Sequence, residues 1–539
     1  MKKSLYILLL LGFVCFTTPI VSGSCLFVSL TNYPSQNPYI DTLRYALLKM
    51  SDPDFYFDAQ QRLVQVSDDN KKAKIGYKLW MHKQPAPLVF LMPGLGTHFV
   101  DSEPAAIAEI LYSNGFSVAL VSSAFNWEFA LNASSSGVPG YTPQDARDIY
   151  AVLQRVLADI TANNPSSNIT EKILAGYSMG GLHAAFVGDI DAREHKINFD
   201  RIVALSPPVN VMHGLLTLDE FYQTWRQWSE VVIEEKKNKA VKFYKMYTAG
   251  ELNGSTNLPV DTEEAQFAIG LLYRMSLNEV IKAIHSQKDF GILNHSYSTF
   301  SRQELEKEIE RYGYYRYAMT FIKTAYSNLW QSQPLEQLNR EASLPAIQQT
   351  LRNNPRIFIL HTSDDWLLND YDRRWLENVM QDRMVILNHG GHLGYFYRPD
   401  AQKYVIAVMR GTPSGDIPSV EYVASTTLEP VPLVRTSSAP ASDPSSAKPA
   451  VQPVTSSVAA TPAQSSSVSG EEHNSYRMLD PNDFKTVDAA MDKIIAVSVS
   501  TSNTVPVINP PVVLKPEDLK VKQAESSDIR KDITLEYKE

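Results

Sequence analysis

The feature that most constrains this chain is an alternation of short apolar runs with helical stretches, which breaks off after residue 210 and resumes at residue 356. "APLVFLMPG" (86–94), "FSVALVSSA" (116–124), "EKILAGYS" (171–178) and "RIVALSPPVN" (201–210) each read as a short strand. Between them, "EPAAIAEILYSNG" (103–115) reads as a helix closed by Gly115. "TPQDARDIYAVLQRVLADI" (142–160) reads as a helix with Thr142 as N-cap and Pro143 at its first position. Strands that alternate with helices predict a parallel α/β sheet.

Residues 211–355 carry no clear strand and are long, aromatic and helical in pattern. The alternation returns with "RIFILHTSDDW" (356–366), a helix near 372–381, "RMVIL" (383–387) and "NHGGHLGYF" (388–396). A helical segment inserted between two strands of one sheet reads as a cap. The expected organisation is a core over 39–210, a helical cap insertion over 211–355 and the rest of the core over 356–410. From residue 411 to 539 the chain is rich in Ser, Pro and Ala. Such a segment cannot bury enough apolar surface to offset ordering entropy, so a mostly disordered tail is expected.

Lys2 and Lys3 precede the apolar run "LYILLLLGFVCF" (5–16), the pattern of an export leader over residues 1–24. The run is shorter than the ~20 residues of a transmembrane helix, although an uncleaved anchor stays open. Two processing points compete. The small residues of "VSG" (21–23) suit a signal peptidase, while "SGSC" (22–25) is similar to a lipoprotein box and would place a lipid on Cys25. The only cysteines are Cys15 and Cys25, and Cys15 would leave with the leader. An exported chain without an internal disulfide points to a bacterial periplasm or to a membrane-anchored lipoprotein of the cell envelope. Membrane association would then run through the N-terminus, and the tail would be placed to contact envelope partners. The net charge of -9 and the lack of a Lys/Arg block argue against a nucleic-acid partner.

Chemistry concentrates at "KILAGYSMGGLHAAF" (172–186), where Ser178 stands between glycines after a strand and before helical residues. A serine hydroxyl needs a base to take its proton and a third group to orient that base. A sharp strand-to-helix turn with small neighbours presents the hydroxyl, and Gly176, Gly180 and Gly181 supply them. The acid is expected after a later strand, where Asp364 and Asp365 compete. Asp365 is favoured by the Leu367-Leu368 pair behind it, and Asp364 would cap the next helix. The base is expected in "NHGGHLGY" (388–395), with His392 favoured over His389 because two glycines precede it. An oxyanion hole needs two preset backbone N–H groups. Met179 follows the nucleophile, and Leu95 sits in "FLMPGLGTHF" (90–99) between Gly94 and Gly96.

The "PGLG", "GYSMGG", "SDD" and "GGHLGY" elements resemble those of the α/β-hydrolase superfamily, and are most similar to the YheT-like carboxylester hydrolases. The resemblance covers about residues 39–410. It implies an α/β-hydrolase fold with a mostly parallel central sheet, a Ser178-Asp365-His392 triad, and no metal or organic cofactor. The leader, the aromatic cap and the Ser/Pro tail depart from that family. The expected activity is an exported serine hydrolase acting on a small-molecule or lipid ester. An acyltransferase or peptidase on the same triad, or a non-catalytic envelope binding protein with this fold, are the alternatives. His183 and His361 read as structural residues, and the remaining histidines lack zinc-ligand spacing. The aromatics of 312–330 read as core, with some facing substrate.

Overall fold

The computed structural model describes residues 25–31, 35–67, 73–164, 168–252, 257–296, 302–329 and 334–413. The expected leader over 1–24 and the tail from residue 414 lie outside the described residues.

Strand β1 (Leu26–Val28) is followed by helix α1 (Pro38–Tyr45), and then by β2 (Gln60–Gln65), β3 (Lys74–Trp80) and β4 (Ala86–Met92). Helix α2 (Ser102–Ser113) leads to β5 (Ser117–Val121), α3 (Thr142–Asn163) to β6 (Ile169–Tyr177), and α4 (Met179–Glu194) to β7 (Arg201–Leu205). Four helices are named in the insertion: α5 (Val211–Gln223), α6 (Glu230–Thr248), α7 (Thr262–Gln287) and the short α8 (Tyr314–Tyr317). The sheet resumes with β8 (Ile357–Thr362), α9 (Asp370–Met380), β9 (Met384–Leu387) and α10 (Pro399–Met409).

The described strands form one nine-stranded sheet in the order β1-β9-β8-β7-β6-β4-β5-β3-β2. Only the β2–β3 and β3–β5 pairs are antiparallel. The other pairs are parallel, the arrangement that needs helical crossovers. Three strands lie beyond the sequence reading. β1 precedes residue 39, where the core was expected to start, so the sheet already begins at Leu26. β2 and β3 form the hairpin that closes the other edge.

Strand periodicity divides the interior into two layers. On β4, Leu88, Phe90 and Met92 join the core beneath α3, α4 and α9. Val89 and Leu91 join the opposite core with α2, α10 and β1. Alternate residues of one strand thus serve opposite faces, which is why β4 is apolar throughout. Helix α3 contributes Ala146, Ile149, Leu153, Val156 and Ile160, a stripe of helical period. Thr142, expected as its N-cap, is instead its first residue, and it faces the cavity described below.

Among the described residues, 211–355 contain no strand. This segment builds a third core of its own, with Leu218, Phe221, Leu277, Ile281, Tyr312 and Phe321. Tyr39, Leu95, Met179 and Trp366 pack against that core from loops and helix ends at the carboxyl edge of the sheet. The insertion therefore roofs the edge where ligands of open α/β sheets bind. Helix α7 starts at a capping box between Asp261 and Glu264.

A polar knot locks the roof. Asp219 on α5 accepts from the Tyr314 and Tyr315 amides at 2.9 Å each, and from Arg274 of α7 at 3.1 Å. Arg274 also donates to the Tyr312 carbonyl. A Cβ on Gly313 would lie 2.5 Å from the Asp219 carboxylate, so only glycine admits this approach. Removing one partner of such a pair strands the other charge. Asp219→Ala should therefore cost on the order of 3–5 kcal/mol in urea unfolding. A loss below about 1 kcal/mol, the range of exposed pairs, would show that the knot is not a buried pair in energetic terms.

Candidate active site

Ser178 sits at the turn from β6 into α4 with φ +56° and ψ -127°. A non-glycine residue with this backbone is strained, at a cost of about 1–3 kcal/mol. The surrounding contacts impose it. The Ser178 amide donates to the Leu205 carbonyl at 2.8 Å. A Cβ on Gly176 would lie 2.1 Å from the Gly180 carbonyl oxygen, and one on Gly180 would lie 2.3 Å from the Met92 carbonyl oxygen. The two glycines let α4 press onto β6 and β4, and the chain can leave the strand only through this turn.

The Ser178 Oγ is 2.9 Å from His392 Nε2, and His392 Nδ1 is 2.9 Å from Asp365 Oδ2. All three side chains are buried. The partners define the proton positions: Nδ1–H donates to the carboxylate, and the serine hydroxyl donates to Nε2. The Leu367 amide donates to the other Asp365 oxygen at 2.9 Å. Burial alone would raise the Asp365 pKa. The neighbouring His392 and His361, with the hydrogen bonds from His392 and the Leu367 amide, outweigh it and hold this carboxyl below the usual carboxylate range.

Asp364 does other work. It accepts from the Gly391 amide at 2.9 Å and the Gly390 amide at 3.4 Å, so it caps the loop that carries His392. It does not cap the next helix, whose N-cap is Asn369. His389 lies 3.7 Å from Asp364 and stands away from Ser178, half exposed. His361 is buried 3.5 Å from Asp365 Oδ2. Its Nδ1 accepts from the Thr362 amide, so its Nε2–H donates to the Pro207 carbonyl. Burial lowers its pKa. His183 is buried on α4, 3.8 Å from Asp145.

Helix α1 holds His392, a contact that sequence reasoning missed. The Thr42 hydroxyl accepts from the His392 amide at 2.9 Å and from Trp366 Nε1 at 3.1 Å, and donates to the Pro38 carbonyl at 2.7 Å. The glycines of the His392 loop are needed here for close packing as well as for bending. A Cβ on Gly391 would lie 2.0 Å from the Pro38 carbonyl oxygen, and one on Gly394 would lie 2.1 Å from that of Asp41. No local signal marks Thr42, because its partners lie in other parts of the chain.

The loop after β4 carries Leu95 beside Ser178. Its neighbour Gly96, at φ +81°, donates to the Phe125 carbonyl at 3.0 Å and accepts from Asn126 Nδ2 at 2.9 Å. These bonds fix the peptide next to Leu95. Met179 opens α4, where the helix dipole adds positive potential. Leu95, Met179, Ser178 and His392 line one cavity of about 680 Å³, its open mouth included. The wall is apolar, with Phe125, Leu182, Leu215, Leu218 and Tyr317 among its residues. Of the aromatic stretch, Tyr314 and Tyr317 face the cavity, whereas Tyr312 packs in the roof's core. Among the described residues no cluster of His, Cys, Asp and Glu could hold a metal.

Cys25, the lipidation candidate, precedes β1 and packs partly buried against the sheet core. Its Sγ–H points to the Glu377 carbonyl at 3.5 Å. Burial, then the Glu377 carboxylate, pushes the thiol up to about 12 from an ordinary value near 9. At pH 8 its alkylation in the folded protein should therefore run on the order of 10³-fold slower than in the urea-unfolded chain. Equal rates in the two states would contradict this placement.

No protein-family model and no curated protein sequence matches the chain. Among solved structures it is similar to brefeldin A esterase, described as a bacterial homologue of human hormone-sensitive lipase. The identity is 13% over 72% of this chain and 89% of that one, with a TM-score of 0.33. It is similar to the thermostable carboxylesterase EstE1 from a metagenomic library (15% identity, 69% of this chain, 95% of that one, TM-score 0.33). It is also similar to an esterase from Rhizomucor miehei (15% identity, 69% and 88% coverage, TM-score 0.35). Likenesses this distant leave the fold to be judged on the molecule itself. With its mostly parallel sheet, its serine on a strained β6–α4 elbow and the hydrogen-bonded Asp365 and His392 on the loops after β8 and β9, in that chain order, the chain has the α/β-hydrolase fold.

Proposed function

We propose that this chain is a serine hydrolase that cleaves carboxylic esters with apolar acyl groups. The observation that carries the reading is the unbroken Asp365–His392–Ser178 hydrogen-bond chain at an apolar cavity. In the first step Ser178 Oγ attacks the acyl carbonyl carbon while His392 Nε2 takes its proton. Asp365 stabilises the resulting imidazolium. Charge on the former carbonyl oxygen meets the Leu95 and Met179 amides. Collapse breaks the bond to the alcohol, which leaves with the proton from His392. Water then attacks the acyl-serine with His392 as base, and the carboxylic acid departs.

The cavity wall supports an acyl chain as the buried part of the substrate, because its walls offer apolar contact with few polar partners. Export to the periplasm or cell envelope belongs to the same proposal and rests on the leader pattern. The partly buried Cys25 thiol favours a protein without lipid on that residue.

A series of p-nitrophenyl esters tests the proposal. Specificity, as kcat/KM, should rise with acyl length until the cavity is filled and then fall. Asp365→Asn should lower kcat by about 10⁴-fold through loss of the imidazole tautomer. Asp364→Asn, which holds loop amides and His389 but not His392's ring, should stay within about tenfold of wild type. No turnover of any ester by folded protein, or the reverse ranking of the two aspartates, would sink the assignment.

A further inference from the structure

The roof helix α7 brings a phenol to the nucleophile. Tyr273 lines the cavity together with Ser178, Leu95 and His392. Burial, then the Asp365 carboxylate, pushes this phenol up to about 12, so it remains a donor through the neutral range.

Its approach side is fixed by the same helix. Ser276, three residues further along α7, lies against the oxyanion loop: a Cβ on Gly96 would meet its Oγ at 2.4 Å. Residues three apart share a helix face, so Tyr273 reaches Ser178 from the Leu95 side. The turn is held firmly. Tyr314 donates to the Tyr273 carbonyl at 2.6 Å, and Arg274 next to it is tied into the Asp219 knot.

We propose that Tyr273 is a catalytic residue, a third donor to the oxyanion supplied by the roof. This rests on the reading of Ser178 as the nucleophile. Attack on the carbonyl carbon uses the Oγ lone pair to form the new C–O bond. The phenol then donates to the charge appearing on the former carbonyl oxygen, beside the Leu95 and Met179 amides. Its hydrogen bond is thereby stronger in the transition state than in the ground state, the condition for raising kcat.

Tyr273→Phe removes one oxygen and leaves the Ser178–His392 bond in place. With a p-nitrophenyl ester its kcat should fall by about 10²-fold, as for loss of one oxyanion donor, with KM within about threefold. Affinity for a trifluoromethyl ketone, which forms a hemiketal oxyanion on serine, should fall in parallel, and the thermal midpoint should hold. Should the midpoint drop, difluorotyrosine at position 273 gives the answer in the native shape: its more acidic phenol should bind the ketone more tightly at pH 7. A kcat for Tyr273→Phe within about threefold of wild type, or ketone affinity that ignores fluorination, overturns the role of Tyr273 alone. A wild type that neither turns over esters nor binds the ketone overturns the Ser178 reading beneath it.

Discussion

The close approach of α4 to β4 and β6 is the contact on which the site depends. Gly180 lies so near the Met92 carbonyl, and Gly176 so near Gly180, that no side-chain carbon fits at either position. This approach drives Ser178 into its strained turn at φ +56°. It also brings the first amide of α4 and the loop after β4 to the same side of the serine. One packing event thus presents the hydroxyl and sets Leu95 and Met179 on the same cavity. The strain is held because β6 is bonded on both sides, to β4 and to β7.

A second close approach serves the base. Gly391 and Gly394 let the His392 loop lie on α1, where the Thr42 hydroxyl gathers the His392 amide and the Trp366 indole. Asp364 fastens the same loop from the other side. His392 is therefore set by three elements distant in sequence, and its ring has Asp365 at one nitrogen and Ser178 at the other. The helical insertion completes the enclosure. It brings its own core, its own buried ion pair and an apolar wall, so it is a rigid roof rather than a loose strap.

Much of this could be read from the residues in order. Ser178 was legible because a strand, a glycine-flanked serine and a helix follow one another without a gap. The turns that carry Leu95, Met179 and His392 were legible for the same reason: each is short, glycine-marked and next to an apolar run. Asp364 and Asp365 were harder. Adjacent residues at a strand end point different ways, and only the fold tells which one meets His392. The edge strands were missed for physical reasons. β1 has three residues, and β2 exposes most of its length, so neither makes a buried apolar run. Thr42 was not legible at all, since a threonine in a helix acquires its bond to the His392 amide only from another part of the chain.

The most direct test of the account is to locate a covalent adduct. Folded protein treated with a fluorophosphonate and digested with trypsin should carry the phosphonyl group on the peptide spanning residues 173–193. Fragmentation should place it on Ser178, and unfolding the protein first should abolish the reaction, because the free serine hydroxyl has no base. An adduct on any other residue, or none on folded protein, would contradict the claim that the strained turn at Ser178 exists to hold a nucleophile.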